Sequence, residues 1–376
     1  MNAPKPDMTI VPFADLHQQY LSLKPELDAA IAQVIAESSF IRGPHVEGFE
    51  KAFAKAIGTD HCVSAANGTD TLFLAMRTLG IKPGDEVIVP AMSWISTSAS
   101  VTHAGGKVVF CDIDPNTHTL GPQKAAEKIT QRTVGIIPVH LYGQPADMDA
   151  IMALAKRHNL WVLEDCAQAH LAEHKGRQVG TIGNVGSFSF YPGKNLGAMG
   201  DAGALVTNDA ELAKRMAMLA RHGGLVKGDH QIEGVNSRMD GLQAAILNVK
   251  LPHLRSWTKA RQAVATKYIA ALENQSDLKL PKPAPNTSHV YHLFSICHPQ
   301  RDKLASHLKA HGVQTTINYP TALPFLPSYQ HMKASHADYP NAYDLQRNLL
   351  CLPIFAEMTP AQQDHVIAAV LSFQDR

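Results

Sequence analysis

Gly186-Ser187-Phe188-Ser189-Phe190-Tyr191-Pro192-Gly193-Lys194-Asn195-Leu196-Gly197-Ala198-Met199-Gly200-Asp201 reads as a short strand that runs into a glycine-flanked lysine. Ser187 to Phe190 alternate polar and apolar, the period of a strand. Pro192 and Gly193 stop that strand. Lys194 follows in the loop, with Gly197 and Gly200 behind it. A loop lysine is ordinarily a solvated charge. This one follows a Phe-rich strand among glycines that permit close backbone approach. A partly desolvated amine loses its proton near neutral pH and can attack a carbonyl. Lys194 therefore suits a Schiff-base role.

A second stretch supports this. Leu160-Trp161-Val162-Leu163-Glu164-Asp165 is an apolar run ending in acids, as in a buried strand that ends at a site. Asp165 on its own would be a helix cap or a loop acid. Paired with the lysine loop, it suits a pyridine nitrogen that must stay protonated for the ring to act as an electron sink. The two together point to pyridoxal phosphate.

Strands alternate with helices on both sides of these stretches. Leu16–Glu37 reads as one helix, with Leu27, Ile31 and Val34 on a stripe, and residues 45–57 as another. Residues 61–66 form a strand before a helix over 69–79. That helix opens with Asn67-Gly68-Thr69-Asp70, a simple cap or, through its free amides and dipole, a phosphate holder. Further strands are expected at 86–89, 107–111, 134–139 and 203–207, and helices at 148–158, 211–221, 240–251 and 257–275. Residues 1–9 read as a loose tail, 222–234 as a mobile polar loop, and Pro281–Thr287 as a linker. Beyond it, residues 291–296 alternate, and 303–311 and 360–372 are helical. The pattern predicts an α/β fold with a mostly parallel sheet flanked by helices. A large domain over 1–250 and a smaller α/β lobe over 251–376 are expected. Ligands in such sheets sit beyond the strands' carboxyl ends. Thr69, Trp94, Asp165 and Lys194 all fall just after strands or at helix starts.

Composition narrows the function. Hydrophobic residues make up 45% and charged residues 18%, ordinary for a globular protein. The formal net charge of +1 suggests no nucleic-acid or membrane surface. Cys62, Cys111, Cys166, Cys297 and Cys351 are dispersed, so neither a disulfide framework nor a zinc site is expected. The 20 histidines show no metal-ligand spacing, and no metal is expected. No run reaches membrane-spanning length and the N-terminus lacks an apolar export core, so a cytoplasmic location is expected.

Several further segments accompany the lysine loop: Phe40-Ile41-Arg42-Gly43-Pro44, Asn67-Gly68-Thr69-Asp70, Pro83-Gly84-Asp85-Glu86-Val87-Ile88, Glu164-Asp165-Cys166-Ala167-Gln168-Ala169-His170 and Asn236-Ser237-Arg238-Met239. In this order, the chain resembles the nucleotide-sugar aminotransferases of the DegT/DnrJ/EryC1/StrS type. The resemblance implies fold type I, the fold of aspartate aminotransferase, and pyridoxal 5'-phosphate as cofactor. It implies transfer of an amino group from glutamate to a nucleotide-linked keto-sugar, as in polysaccharide biosynthesis. Lys194 would form the Schiff base and carry protons, and Asp165 would face the ring nitrogen. Trp94 would stack on the ring, and Gln168 would contact the cofactor. Gly68, Thr69, the Asp70 amide and Ser189 would hold the phosphate. Asn236 would reach the site of the neighbouring subunit of a homodimer with shared active sites. Arg238, Asn318 and Tyr319 are the expected substrate contacts. His140 and Tyr142, in His140-Leu141-Tyr142-Gly143, receive no role.

The family often has His where this chain has Asn318, His where it has Pro324, and Gly where it has Leu171. These departures bear on sugar recognition and not on the amine chemistry. The Asn67–Asp70 turn and Tyr319-Pro320 favour a 3-keto-sugar; a 4-keto-sugar is the alternative. A sugar dehydratase on this fold has His in place of the lysine, which Lys194 opposes. A non-catalytic regulatory or structural protein is opposed by intact Lys194, Asp165, Gln168 and Ser189. A dinucleotide dehydrogenase lacks its Gly-x-Gly-x-x-Gly.

Overall fold

The computed structural model describes residues 9–374; the tail expected over 1–9 lies outside it except for its last residue. The chain starts with helices α1 (Leu16–Ser22), α2 (Lys24–Glu37) and α3 (Pro44–Ile57). The single helix expected over 16–37 is two. Leu23 leaves helical geometry between them, and Pro25, which cannot extend a helix backwards, sits at the start of α2.

Strand and helix then alternate: β1 (His61–Ala65), α4 (Gly68–Thr78), β2 (Glu86–Pro90), α5 (Ile95–His103), β3 (Lys107–Cys111), α6 (Pro122–Ala126), β4 (Thr133–Ile136), α7 (Met148–His158) and β5 (Trp161–Asp165). A hairpin absent from the sequence reading, β6 (Glu173–His174) and β7 (Arg177–Gln178), precedes β8 (Val185–Ser189) and β9 (Gly203–Thr207). Helices α8 (Ala210–Leu219), α9 (Gly241–Lys250) and α10 (Leu254–Leu272) follow. The C-terminal part holds β10 (Thr287–Ser288), β11 (Phe294–Cys297), α11 (Arg301–Ala310), α12 (Pro340–Asn348), β12 (Leu349–Leu352) and α13 (Pro360–Leu371).

The central sheet has seven strands in the order β1-β9-β8-β5-β4-β2-β3. Only β9 runs against its neighbours. The strands bury both faces, and the period-2 alternation divides them. Val87 and Val89 of β2 join one core, under α4, α5 and α8, and Ile88 joins another, under α7. A third core packs α3 and α9 on β8 and β9. Helices therefore cover both faces, as the hydrophobic runs predicted.

Strand β4 stops at Ile136, short of the expected Val139. Pro138 lacks the N–H that would continue the ladder. Its carbonyl still accepts from the Asp165 amide (2.9 Å), and His140 N–H donates to Asp165 O (3.0 Å). The end of β5 is thus held on a rigid edge.

Helices α10, α11 and α13 enclose a separate core with the β11–β12 pair. Val11 belongs to it, through a bridge to Val313. The segment expected to be a linker instead leads into β10, which pairs with β6.

Candidate active site

The site lies at the carboxyl edge of the parallel strands. After β8 the chain folds back on itself: Lys194 N–H donates to Tyr191 O and Ala198 N–H to Phe190 O, both at 2.8 Å. A Cβ on Gly197 would stand 2.1 Å from Pro192 O, so glycine is required there. Lys250 of α9, 4% exposed, donates through Nζ to Gly197 O (2.8 Å) and pins the loop from behind. Lys194 is half-buried. Loss of water around its amine brings its pKa down to about 8, with Asp165 pulling the other way.

Asp165 is buried at the end of β5. Thr97 Oγ1 donates to Oδ2 (2.8 Å) and Ala167 N–H to Oδ1 (3.2 Å). Burial raises its pKa against these two bonds. A carboxylate accepts about four hydrogen bonds, so two donors leave capacity for another. That spare capacity suits a protonated ring nitrogen in charge.

Helix α4 starts beside the ends of β8 and β9. A Cβ on Gly68 would meet Ser189 Cβ at 2.6 Å, and one on Gly203 would meet the Asn67 carbonyl carbon at 2.6 Å. These glycines let the helix start touch the strands. The Gly68 and Thr69 amides, at the first two helical positions, have no partner within the helix. The Asp70 amide, expected to face the phosphate, donates instead to Asn67 Oδ1 (2.8 Å). Its carboxylate accepts from Ser237 Oγ (2.7 Å). The acid is thereby turned to a protein donor within an otherwise anion-attracting turn. Thr69 Oγ1 and Ser96 Oγ lie 2.7 Å apart. Two unpaired amides, three hydroxyls and the helix dipole make a cradle suited to phosphate.

Trp94 caps α5 and is 57% exposed. Its ring lies 5.4 Å from that of Tyr319. Gln168 Nε2 donates to Tyr319 Oη (3.0 Å), and Gln168 Oε1 accepts from Tyr142 N–H (2.6 Å). The buried Tyr142 hydroxyl donates to Asn318 O. Gln168, Trp94, Asn318 and Tyr319, expected around the cofactor and substrate, thus form one contiguous group.

Asn236 and Arg238 stand apart from it. Asn236 is exposed, and its backbone forms an isolated antiparallel bridge with Arg221; Arg238 makes no side-chain hydrogen bond or ion pair among the described residues. Between them, buried Ser237 ties the segment to Asp70 and accepts from Ala66 N–H (3.2 Å).

His140, left without a role, and Glu164 prove structural. His140 Nε2 meets Glu164 Oε2 at 3.1 Å, and its Nδ1 accepts from Ala146 N–H. Glu164 also accepts from the Gly180, Ile182 and Gly183 amides (2.8, 2.8 and 2.6 Å). Its pKa is lowered despite burial, because His140 and these amides favour the carboxylate. Cys166 lies near both side chains. With the carboxylate and both ring nitrogens engaged by protein, this cluster is a knot holding β5, not a metal centre. Thr97 was also missed by the sequence reading. The Ser/Thr-rich run Met92–Thr97 was its only signal.

The DegT/DnrJ/EryC1/StrS aminotransferase family model matches residues 22–371. The chain belongs to that family. It is 44% identical, over 97% of each chain, to a dTDP-3-amino-3,4,6-trideoxy-alpha-D-glucose transaminase of Streptomyces venezuelae. It is 41% identical to a pleiotropic regulatory protein of Geobacillus stearothermophilus, over 96% of this chain and 98% of that one. Its fold matches the crystal structure of S. venezuelae DesV in complex with a ketimine intermediate, with TM-score 0.94 and 45% identity over 96% of this chain and 97% of that one. The architecture is fold type I, the protein is an aminotransferase, and its cofactor is pyridoxal phosphate. No helix among the described residues is long and apolar enough to cross a membrane.

Proposed function

We propose that this aminotransferase moves an amino group from glutamate to a nucleotide-linked 3-keto-sugar. The observation that carries the chemistry is an amine with pKa about 8, Lys194, set against the buried carboxylate of Asp165 at the sheet edge. Pyridoxal phosphate, when bound, supplies the electron sink that acidifies the donor's α-carbon. The chain supplies the rest. Lys194 Nζ would hold the cofactor's aldehyde carbon and, as a free amine, would take the donor's α-proton. Asp165 keeps the ring nitrogen protonated, with Thr97 and Ala167 fixing its carboxylate. Gly68, Thr69 and Ser189 hold the phosphate. Gln168 has a second Nε2 hydrogen for the ring's substituents, and Trp94 covers the ring face.

The 3-keto preference rests on the Streptomyces relative's 3-amino product name and on Tyr319-Pro320. We propose Arg238, with its free guanidinium, as the contact for the diphosphate or a sugar carboxylate. A homodimer with shared sites is supported by exposed apolar side chains on the segment leading to Asn236, Val226, Ile232 and Val235, and by exposed Ile41, which bridges to Asp240 just beyond it. The chain would divide near residue 250, with the segment around Val11 crossing to the smaller lobe.

The regulatory relative gives a second reading its observation. One experiment separates them. Purified protein is incubated with glutamate and then with nucleotide 3-keto- and 4-keto-sugars. An aminotransferase bleaches its visible band with glutamate and yields an amino sugar. Amination of 4-keto-sugars alone would overturn the 3-keto assignment.

A further inference from the structure

Tyr142 has a buried ring and a backbone φ of 60°, left-handed and unusual for a residue with a side chain. Both its donor groups are spent on the site: N–H on Gln168 Oε1, and O–H on the Asn318 carbonyl. The first bond has only one direction, because a backbone N–H can only donate. That fixes the Gln168 amide, whose two ends are otherwise interchangeable: Oε1 faces Tyr142 and Nε2 faces Tyr319. An amide NH2 can only donate, so the Tyr319 oxygen accepts at 3.0 Å. The Tyr319 proton then points elsewhere. It meets no acceptor among the described residues.

Resting on the aminotransferase reading above, we infer that the chain Tyr142 N–H to Gln168 to Tyr319 has a fixed polarity that makes Tyr319 a hydrogen-bond donor to an acceptor oxygen of the bound ligands, with Tyr142 the positioning residue that sets this direction. Two sources offer such an oxygen: the phenolic oxygen of the cofactor ring and a carbonyl or hydroxyl oxygen of the sugar. Tyr319 lies beside Trp94 and within electrostatic reach of Asp165, so both sources come within range. Burial raises the phenol's pKa, with the Asp165 charge adding to it, so the proton stays on the oxygen at working pH. Asn318 Oδ1, buried next door without a partner, adds an acceptor to this donor. The pair presents opposite hydrogen-bond polarities side by side, which a sugar hydroxyl next to a carbonyl satisfies.

The test uses holoprotein as wild type, Tyr319→Phe, Gln168→Glu and the double variant. Each is read for its visible spectrum against pH, its dissociation constant for pyridoxal phosphate, and the Michaelis constants of both substrates. Tyr319→Phe keeps the ring against Trp94 and deletes the hydroxyl. About a tenfold loss in one readout is expected. Weaker cofactor binding with a shifted spectral midpoint assigns the acceptor to the cofactor. A higher Michaelis constant for the keto-sugar, with the spectrum unmoved, assigns it to the sugar. Gln168→Glu replaces the donor with an acceptor and draws the Tyr319 proton inward. It should move the same readout, and the double variant should lose less than the product of the two single effects. Tyr319→Phe leaving every readout within about twofold, or a double variant losing the full product, overturns the inference. A wild-type protein with no visible cofactor band would instead break the aminotransferase reading beneath it.

Discussion

The two ends of the site are built differently. At one end, Lys194 and Asp165 would act through their own side chains, at or just after strand ends that the hydrophobic pattern predicts. At the other, Gln168 and Tyr319 are held by a backbone amide of Tyr142 in a left-handed turn. Reactivity at the first end comes from desolvation, which needs only burial and one charge partner. Recognition at the second would come from hydrogen-bond direction, which needs the whole fold. Reactive residues therefore stand out locally, whereas the residues that orient ligands do not.

The largest effect should come from the lysine end. Lys194→Ala should fold and bind pyridoxal phosphate, yet lose turnover by on the order of 10³-fold or more. Steady-state transamination with glutamate measures this. Normal turnover would remove the chemistry from Lys194 and with it the contrast between the two ends. Asp165→Asn comes next, with a loss on the order of 10²-fold, since a neutral amide no longer stabilises a protonated ring nitrogen. Its visible spectrum should shift even without substrate.

How much was legible in the sequence follows the same division. The order of strands and helices, the parallel sheet, and the placement of Lys194 and Asp165 at or just after strand ends could be read from periodicity, glycines and acids. Thr97 could not, because its bond to Asp165 spans 68 residues. Tyr142 could not, because its contribution is a main-chain N–H that any residue carries. His140-Leu141-Tyr142-Gly143 was noticed, but nothing in it showed that Gly143 would bring the chain against Val290 and Tyr291. The helix expected over 16–37 is two because the apolar stripe continues across Leu23, although the helical backbone does not.

The phosphate cradle gives a middle-sized effect. Gly68→Ala places a Cβ 2.6 Å from Ser189 Cβ, and backbone must move to relieve it. We expect cofactor affinity to fall about tenfold or more, measured by equilibrium dialysis, with the fold retained. Arg238→Ala should raise the Michaelis constant for the keto-sugar about tenfold and spare the glutamate half-reaction. An equal effect on both substrates would place Arg238 with the structural residues.

The smallest effect separates the reacting amine from the one behind it. Burial brings both Lys194 and Lys250 down to about 8, from 10.5 for an ordinary lysine. Between those values the unfolded chain holds more protons than the folded one, so stability rises with pH from about 8 upward. Below about 8 each buried ammonium costs its full penalty. Lys250 sits on helix α9, almost free of solvent, with the Gly197 carbonyl as its one acceptor among the described residues. Lys194 sits on a half-buried loop, where the Asp165 carboxylate offsets part of the desolvation of its ammonium. Urea unfolding of the apoprotein at pH 7 and pH 9.5 should therefore show a gain that Lys250→Met reduces by on the order of 1–2 kcal/mol. Lys194→Met should reduce it by less. If Lys194→Met flattened the profile and Lys250→Met left it intact, the more desolvated amine would be the reactive one. The loop would then gain its reactivity at a direct cost in stability, rather than borrowing its rigidity from Lys250.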